Sequence, residues 1–251
     1  MPFFDESDEP LTRVFLVQRS PRCFQLLRPI SFLEAGRPEA ERVRVPAHDI
    51  NKPAVGDNAT DLASVPTFLW GLIASYGRQT SAALLHDHLS DEARLGDRSS
   101  GIRLRRVADR LFGVALVESG VSLLRAWIMR SYVSIQKFAV FRWWQALFMV
   151  VHVALGVLAI YAVIAIAVDG WAPWWMLGLL VAPAASTVVW WRDAVAMLII
   201  IYTAAVFTPV MIVAALGQVV LLVPEGAVWL ATGRRTPAPV IGPTILAQRR
   251  P

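Results

Sequence analysis

"ALFMVVHVALGVLAIYAVIAIAV", residues 146–168, decides the fold class. It holds no charged residue. About 20 apolar residues at 1.5 Å rise cross the hydrocarbon core of a bilayer, so the stretch predicts a membrane span. Downstream of it, residues 174–191 ("WWMLGLLVAPAASTVVWW") predict a second span, which contains Pro183, and residues 194–216 a third. Residues 218–232 ("QVVLLVPEGAVWLAT") read as a fourth span, a re-entrant piece or an interfacial helix. Between Trp143 and Leu230 the only charged residues are Asp169, Arg192, Asp193 and Glu225. Eight of the ten tryptophans lie at or beyond Trp143, at the ends of the apolar runs, where indole rings settle in a bilayer.

The rest of the chain has a different character. The first 142 residues hold most of the charge, and the whole is 251 residues, 56% hydrophobic, with a net charge of +5. The expected organisation is a soluble domain (1–142), a transmembrane helical domain (143–232) and a short basic tail (233–251). The expected fold class is a small α+β N-terminal domain, short strands then helices, fused to an α-helical transmembrane domain of three to four spans. Lysine occurs only at Lys52 and Lys137, so the basic character is arginine. Arg130, Lys137 and Arg142 precede the first span, Arg192 falls in the second turn, and Arg234, Arg235, Arg249 and Arg250 follow the last segment. With four spans all of these lie on one side, which predicts an integral protein of the bacterial inner membrane with a cytoplasmic N-terminal domain. A lipid bilayer accounts for the arginines without nucleic acid as a partner. The single cysteine, Cys23, excludes an intrachain disulfide framework. The acidic "MPFFDESDEPLTR" has no long apolar core and reads as no signal peptide.

In the N-terminal part, "RVFLV", "CFQLL" and "RVRVP" have strand character, and "HDINKPAVGDNA" reads as a loop. "TSAALLHDHL" has the density of a buried helix, "SDEARLGDRSSG" reads as a polar loop, and "IRLRRVADRLFGVALVES" as an amphipathic helix that Gly120 ends or interrupts. Val107, Leu111, Val114 and Ala115 form its expected apolar stripe. "VSLLRAWIMRSYVSIQKF" is a further helix leading to the membrane.

Chemistry-bearing residues concentrate in 60–97, "TDLASVPTFLWGLIASYGRQTSAALLHDHLSDEARLGD". His86 and Asp87 end a greasy run, and Asp109 sits among Val107, Ala108, Leu111 and Phe112. A carboxylate among apolar neighbours needs a partner, and His86 is the natural one. An Asp that fixes the tautomer of a His makes that ring a usable general base. Asp87 points about 100° away round the helix, free to hold a hard cation such as calcium with Asp61 and carbonyls of the 56–61 loop. The residues identify no cofactor beyond that. The competing reading is a buried network of His86, Asp87, Asp61, Arg105 and Asp109 that only fixes the fold. His88 lies about 200° from His86 on a regular helix, which argues against one zinc ion on both. His48, His86, Asp87 and Asp109 also occur in the order of an HD-type metal phosphohydrolase, although His48 beside Pro46 reads as loop. Ser64 lacks the G-x-S-x-G context of an esterase and reads as bracing the turn before Pro66. His152, inside the first apolar run, reads as a neutral ring bonded to a neighbouring helix, the alternative being a functional group in the membrane. The apolar region has no internal repeat and no string of midplane charges, the marks of a carrier.

Residues 43–138 resemble a small uncharacterised family of phage and bacterial proteins, a domain of unknown function. Its pattern is T-D-x-A-S-x-P, then A-A-x-x-H-D, then R-x-x-A-D-x-x-F. Thr60, Asp61, Ala63, Ser64, Pro66, His86, Asp87, Arg105, Asp109 and Phe112 match it, whereas His88 and Ser90 stand where the family has tyrosines and the loop after Pro46 is longer. This resemblance implies a phage- or prophage-type protein whose N-terminal domain is a binding or assembly module, with a phage or membrane protein as partner. The same residues are similar to prokaryotic phospholipases of the A-two type, with S-V-P, H-D and R-x-x-D-x-x-F. That similarity implies His86 as the base activating water, Asp87 as a calcium ligand and Asp109 as the residue orienting His86. The implied activity is a metal-dependent hydrolase of lipid esters. The tyrosine after H-D and the paired cysteines of those enzymes are missing here.

Overall fold

The computed structural model describes residues 2–20, 23–62, 77–168 and 176–233. Among the described residues five short strands come first. β1 (Phe3–Phe4), β4 (Ile30–Phe32) and β5 (Val43–Val45) form an antiparallel sheet in the order β1-β4-β5, with Phe3 opposite Phe32 and Ile30 opposite Val45. β2 (Leu16–Ser20) and β3 (Cys23–Leu26) make a separate hairpin. The sequence pattern finds β3 and β5 and sets β2 about three residues early, at 13–17. β1 and β4 are too short to show an alternating pattern, and both depend on pairing with distant partners.

Three helices follow: α1 (Thr80–Leu95), α2 (Arg98–Glu118) and α3 (Leu123–Phe141). The expected polar loop after residue 89 is mostly helix. Its charges cover the solvated end of α1, and the chain turns within Gly96 and Asp97. Asp97 caps α2, its Oδ1 accepting the Ser100 N–H at 2.8 Å. α2 ends in a Schellman motif at Gly120 (φ +81°), where Val121 N–H donates to Leu116 O at 3.0 Å and Gly120 N–H to Val117 O at 2.9 Å. Its inward face takes in Leu111 and Ala115 of the expected stripe, with Val114 half-buried against the core, but not Val107. Val107 is 48% exposed, while Arg105, Ala108, Asp109, Phe112, Ala115 and Leu116 are buried. The polar residues Arg105 and Asp109 belong to that face because they bond to each other, which a count of apolar residues cannot register. Leu26, Phe32, Leu85, Phe112 and Leu116 are central to the resulting core.

Among the described residues two helical stretches, not three to four, are long and apolar enough to cross a membrane: Trp143–Val168 and Gly178–Ala231. The first is α4 (Trp143–Val168). The second comprises α5 (Leu177–Ser186), a 3-10 segment (Thr187–Asp193) and α6 (Ala194–Ala231). The expected break between the third and fourth runs does not occur. Gly217 alone cannot reverse a chain, since helix–helix connections take about 2–8 residues, and α6 continues for 38 residues through it. The orientation inferred from four spans lapses with them. Asp169, the tryptophans at 171, 174 and 175, and the tail arginines lie outside the described residues.

Gly178–Ala231 is not straight. Tyr202 Oη donates to Leu180 O, 22 residues away; a straight helix would part them by about 33 Å. The bend is at Trp191, a non-glycine residue with φ 49° and ψ −107°. Such a backbone costs about 1–3 kcal/mol and persists where its surroundings fix it. Those surroundings include Asp193, which bonds Lys137 Nζ at 2.5 Å and lies 3.6 Å from Arg106 Nη2. Lys137, expected as a basic flank in water, is only 3% exposed and joins α3 to the start of α6.

α4 and α6 meet closely at Gly156, where a Cβ would lie 2.8 Å from the Ile201 side chain. Pro209 lies inside α6 and removes the N–H that would reach Ala205 O. Tyr161 Oη of α4 donates to that carbonyl at 2.5 Å. His152 is fully occupied. Trp190 Nε1–H donates to its Nδ1 at 2.6 Å, so Nε2 carries the proton and donates to Ser186 Oγ at 2.7 Å. Ser186 in turn donates to Pro183 O at 2.8 Å. The reading of His152 as a neutral, bonded ring accords with this chain.

Candidate functional site

The chain reaches the site through a loop laced by side chains. Gln25, fully buried on β3, donates to Asp49 O and Asn58 O, both at 3.1 Å. His48 Nδ1 accepts the Leu26 N–H at 3.0 Å. Thr60 then pairs with Phe24 through both backbone groups, at 2.8 and 2.9 Å. This bridge fixes where the Thr60 hydroxyl points. It accepts the Leu62 N–H at 2.9 Å and donates to Asp87 Oδ2 at 2.5 Å.

His86 is buried because α1 turns its Ala82–His86 run into the core. Its Nε2 lies 3.0 Å from Asp109 Oδ1, and its ring packs on Phe112 at a centroid distance of 4.9 Å. The same Asp109 oxygen accepts from Arg105 Nε at 3.3 Å, and Arg105 Nη2 donates to Gln136 Oε1 at 3.1 Å. His86, Arg105 and Asp109 are each at most 5% exposed. Burial holds the His86 pKa below its ordinary value, so the ring is neutral near pH 7. A carboxylate only accepts, so Nε2 carries the proton and Nδ1 holds the lone pair. Asp109 Oδ2 is buried and has no partner among the described residues.

Asp87, one residue on, faces Thr60 rather than Asp109. Burial, and then the neighbouring charge of Asp61, push its carboxyl up to about 8. The arrangement therefore sets a neutral imidazole, oriented by a carboxylate, beside a second carboxyl that resists ionisation. That combination can hold a proton at His86 Nδ1 or Asp87, and the Asp87–Asp61 pair attracts positive charge.

The structure brings together Thr60, Asp61, His86, Asp87, Arg105, Asp109 and Phe112. Ser64 and Pro66 lie outside the described residues. His48 is committed to Leu26, and His88 turns toward Glu92 at 3.5 Å, so neither shares the His86–Asp109 bond. Among the described residues no group of three or more His, Cys, Asp or Glu is placed to hold a metal ion. Sequence reasoning missed Gln136 and Gln25. The signal for Gln25 was one amide inside an otherwise apolar strand; Gln136 had none.

Residues 54–133 match the family described as "Protein of unknown function (DUF1353)". The match runs from the loop before Thr60 into α3 and takes in all seven gathered residues. No curated protein and no solved structure matches the chain.

Proposed function

We propose that the chain is a phage- or prophage-type membrane-anchored protein whose N-terminal region is a binding or assembly module, its His-Asp network holding the fold. The observation that carries this reading is the closed charge balance of the network: Asp109 is buried between His86 and Arg105, and Arg105 is itself held by Gln136. A buried ion pair whose opposite charges meet within the protein fixes packing, here through Asp109 Oδ1 while Oδ2 has no partner among the described residues. The two long apolar helices support attachment to a bilayer. We place the protein in the bacterial inner membrane with the N-terminal region on the cytoplasmic face, as Arg130 and Arg142 ahead of α4 favour. A phage or membrane protein is the partner class, and nucleic acid is not needed to explain the arginines.

The Thr60–Asp87 bond beside the dyad favours a second reading, a membrane-tethered hydrolase of lipid esters. His86 Nδ1 would take the proton of water and Asp109 would orient the ring. Calcium would polarise the ester and would be held by Asp87 and Asp61. The fit is partial, since two carboxylates fall short of the six to eight oxygens calcium takes, and loop carbonyls or water would supply the rest. One experiment separates the readings: thermal melting and phospholipid hydrolysis of the full chain in liposomes with calcium, wild type beside His86→Asn and Asp87→Asn. A lower melting temperature for His86→Asn with no hydrolysis by wild type supports the structural network. Hydrolysis lost in both variants at unchanged melting temperature overturns it.

A further inference from the structure

The turn from α2 into α3 exposes a cluster that the core does not use. Leu123, Leu124 and Trp127 are exposed, Leu124 by 66% and Trp127 by 50%, and Val117 near the end of α2 is exposed as well. On a helix, positions 123, 124, 127 and 130 share one face. Three arginines frame it: Arg125 and Arg130 on α3, both exposed, and Arg78, whose Nη1 donates to Gly120 O at 3.1 Å. No acidic residue occurs between Glu118 and Asp169, and Glu118 is itself turned to the Ala35 N–H.

The direction of this corner follows from two bonds. Tyr132 bonds Thr203 at 3.2 Å, and Lys137 bonds Asp193 at 2.5 Å. Numbers rise along α3 as they fall along α6, so the helices run antiparallel. From Tyr132 back to Leu124 is about 12 Å along the axis. The corner therefore lies toward the end of α6 where its apolar surface is uncovered, level with the first turns beyond Ala205. A bilayer that takes up that surface meets the corner.

We propose that the α2–α3 corner is a lipid-contact site: Leu123, Leu124 and Trp127 enter the interfacial layer of the bilayer, and Arg78, Arg125 and Arg130 hold anionic phospholipid headgroups. An apolar cluster with an indole ring and flanking arginines suits the headgroup boundary, and each arginine near an anionic surface adds attraction that a neutral one does not supply. The contact fixes the height of the N-terminal module on the membrane. It rests on the membrane attachment proposed above.

The test uses the full chain in nanodiscs with Cys23→Ser and one spin label at a time, at Leu124→Cys, Val213→Cys or Lys52→Cys. Accessibility to oxygen and to a water-soluble nickel chelate is read at each. In discs containing phosphatidylglycerol, the label at 124 should lose nickel accessibility relative to 52 and approach 213. In pure phosphatidylcholine discs, or with Arg125→Gln and Arg130→Gln added, it should regain it. A label at 213 in lipid with 124 as wet as 52 overturns the corner site alone. Water exposure at 213 as well overturns the membrane attachment beneath it. Lipid burial at 124 that ignores headgroup charge overturns the assignment of the arginines to anionic lipid.

Discussion

The two parts of α6 have the same kind of sequence and opposite surroundings. In residues 194–205, Met197, Ile200, Ile201 and Ala205 are buried, Ile199 packs against the N-terminal core, and Tyr202 and Thr203 bond to other helices. In residues 206–231, Val206, Val213, Leu216, Val220 and Val223 all have more than half of their surface exposed. This second part alone is about 39 Å long, enough to cross a hydrocarbon core. Composition does not distinguish the halves, because a helix core and lipid tails ask for the same residues. The difference lies in what the rest of the chain brings to each half.

Substitutions can break or sharpen this contrast. The largest effect is expected at the start of α6. Asp193→Ala leaves Lys137 buried without its carboxylate and should cost about 3–5 kcal/mol. Glu225→Gln, in the uncovered half, should stay within about 0.5 kcal/mol. Melting of the purified protein in one mild detergent compares the two, and equal effects would erase the distinction. Ile201→Ala should cost about 2–5 kcal/mol by opening a cavity against Gly156, whereas Val213→Ala should leave the melting temperature within error.

The N-terminal core, against which the packed half of α6 sets Ile199, should carry the pH dependence. Asp87 is pushed up to about 8 in the folded chain, against an ordinary carboxylate range near 3.8. Between these values the folded chain holds a proton that the unfolded chain has released. Its stability contribution is complete below pH 4 and is lost as pH rises through 8. Melting temperatures at pH 5, 7 and 9 should fall for wild type and fall less for Asp87→Asn; parallel declines would discard this assignment. The smallest loss expected within the packed part is Tyr161→Phe, which leaves Ala205 O without its donor beside Pro209. A cost of about 1 kcal/mol is expected, read as a small drop in melting temperature that the same change at a lipid-facing position would not produce.

Much of the site could be read from residue types. A histidine and an aspartate set among the buried apolar residues of two helices need a partner, since neither is stable in a core alone, and His86 and Asp109 meet. The sharing of Asp109 with Arg105, and the reach of Arg105 to Gln136, could not be read, because a polar residue on a helix shows no preference for one buried partner over another. Lys137 is the clearest case. Next to a membrane segment it reads as a flank in water, and only the approach of Asp193, 56 residues away, buries it.

The sequence by itself determined the apolar content of the C-terminal helices, the polar character of the N-terminal part, the helix stop at Gly120 and the pairing of His86 with Asp109. All of these follow from local backbone preference or from the cost of burying an unpaired polar group. Tertiary structure decided how many long helices there are, where the chain doubles back at Trp191, and which half of α6 is packed. Those depend on contacts between residues far apart in the chain, and hydrophobicity is blind to whether its neighbour is protein or lipid.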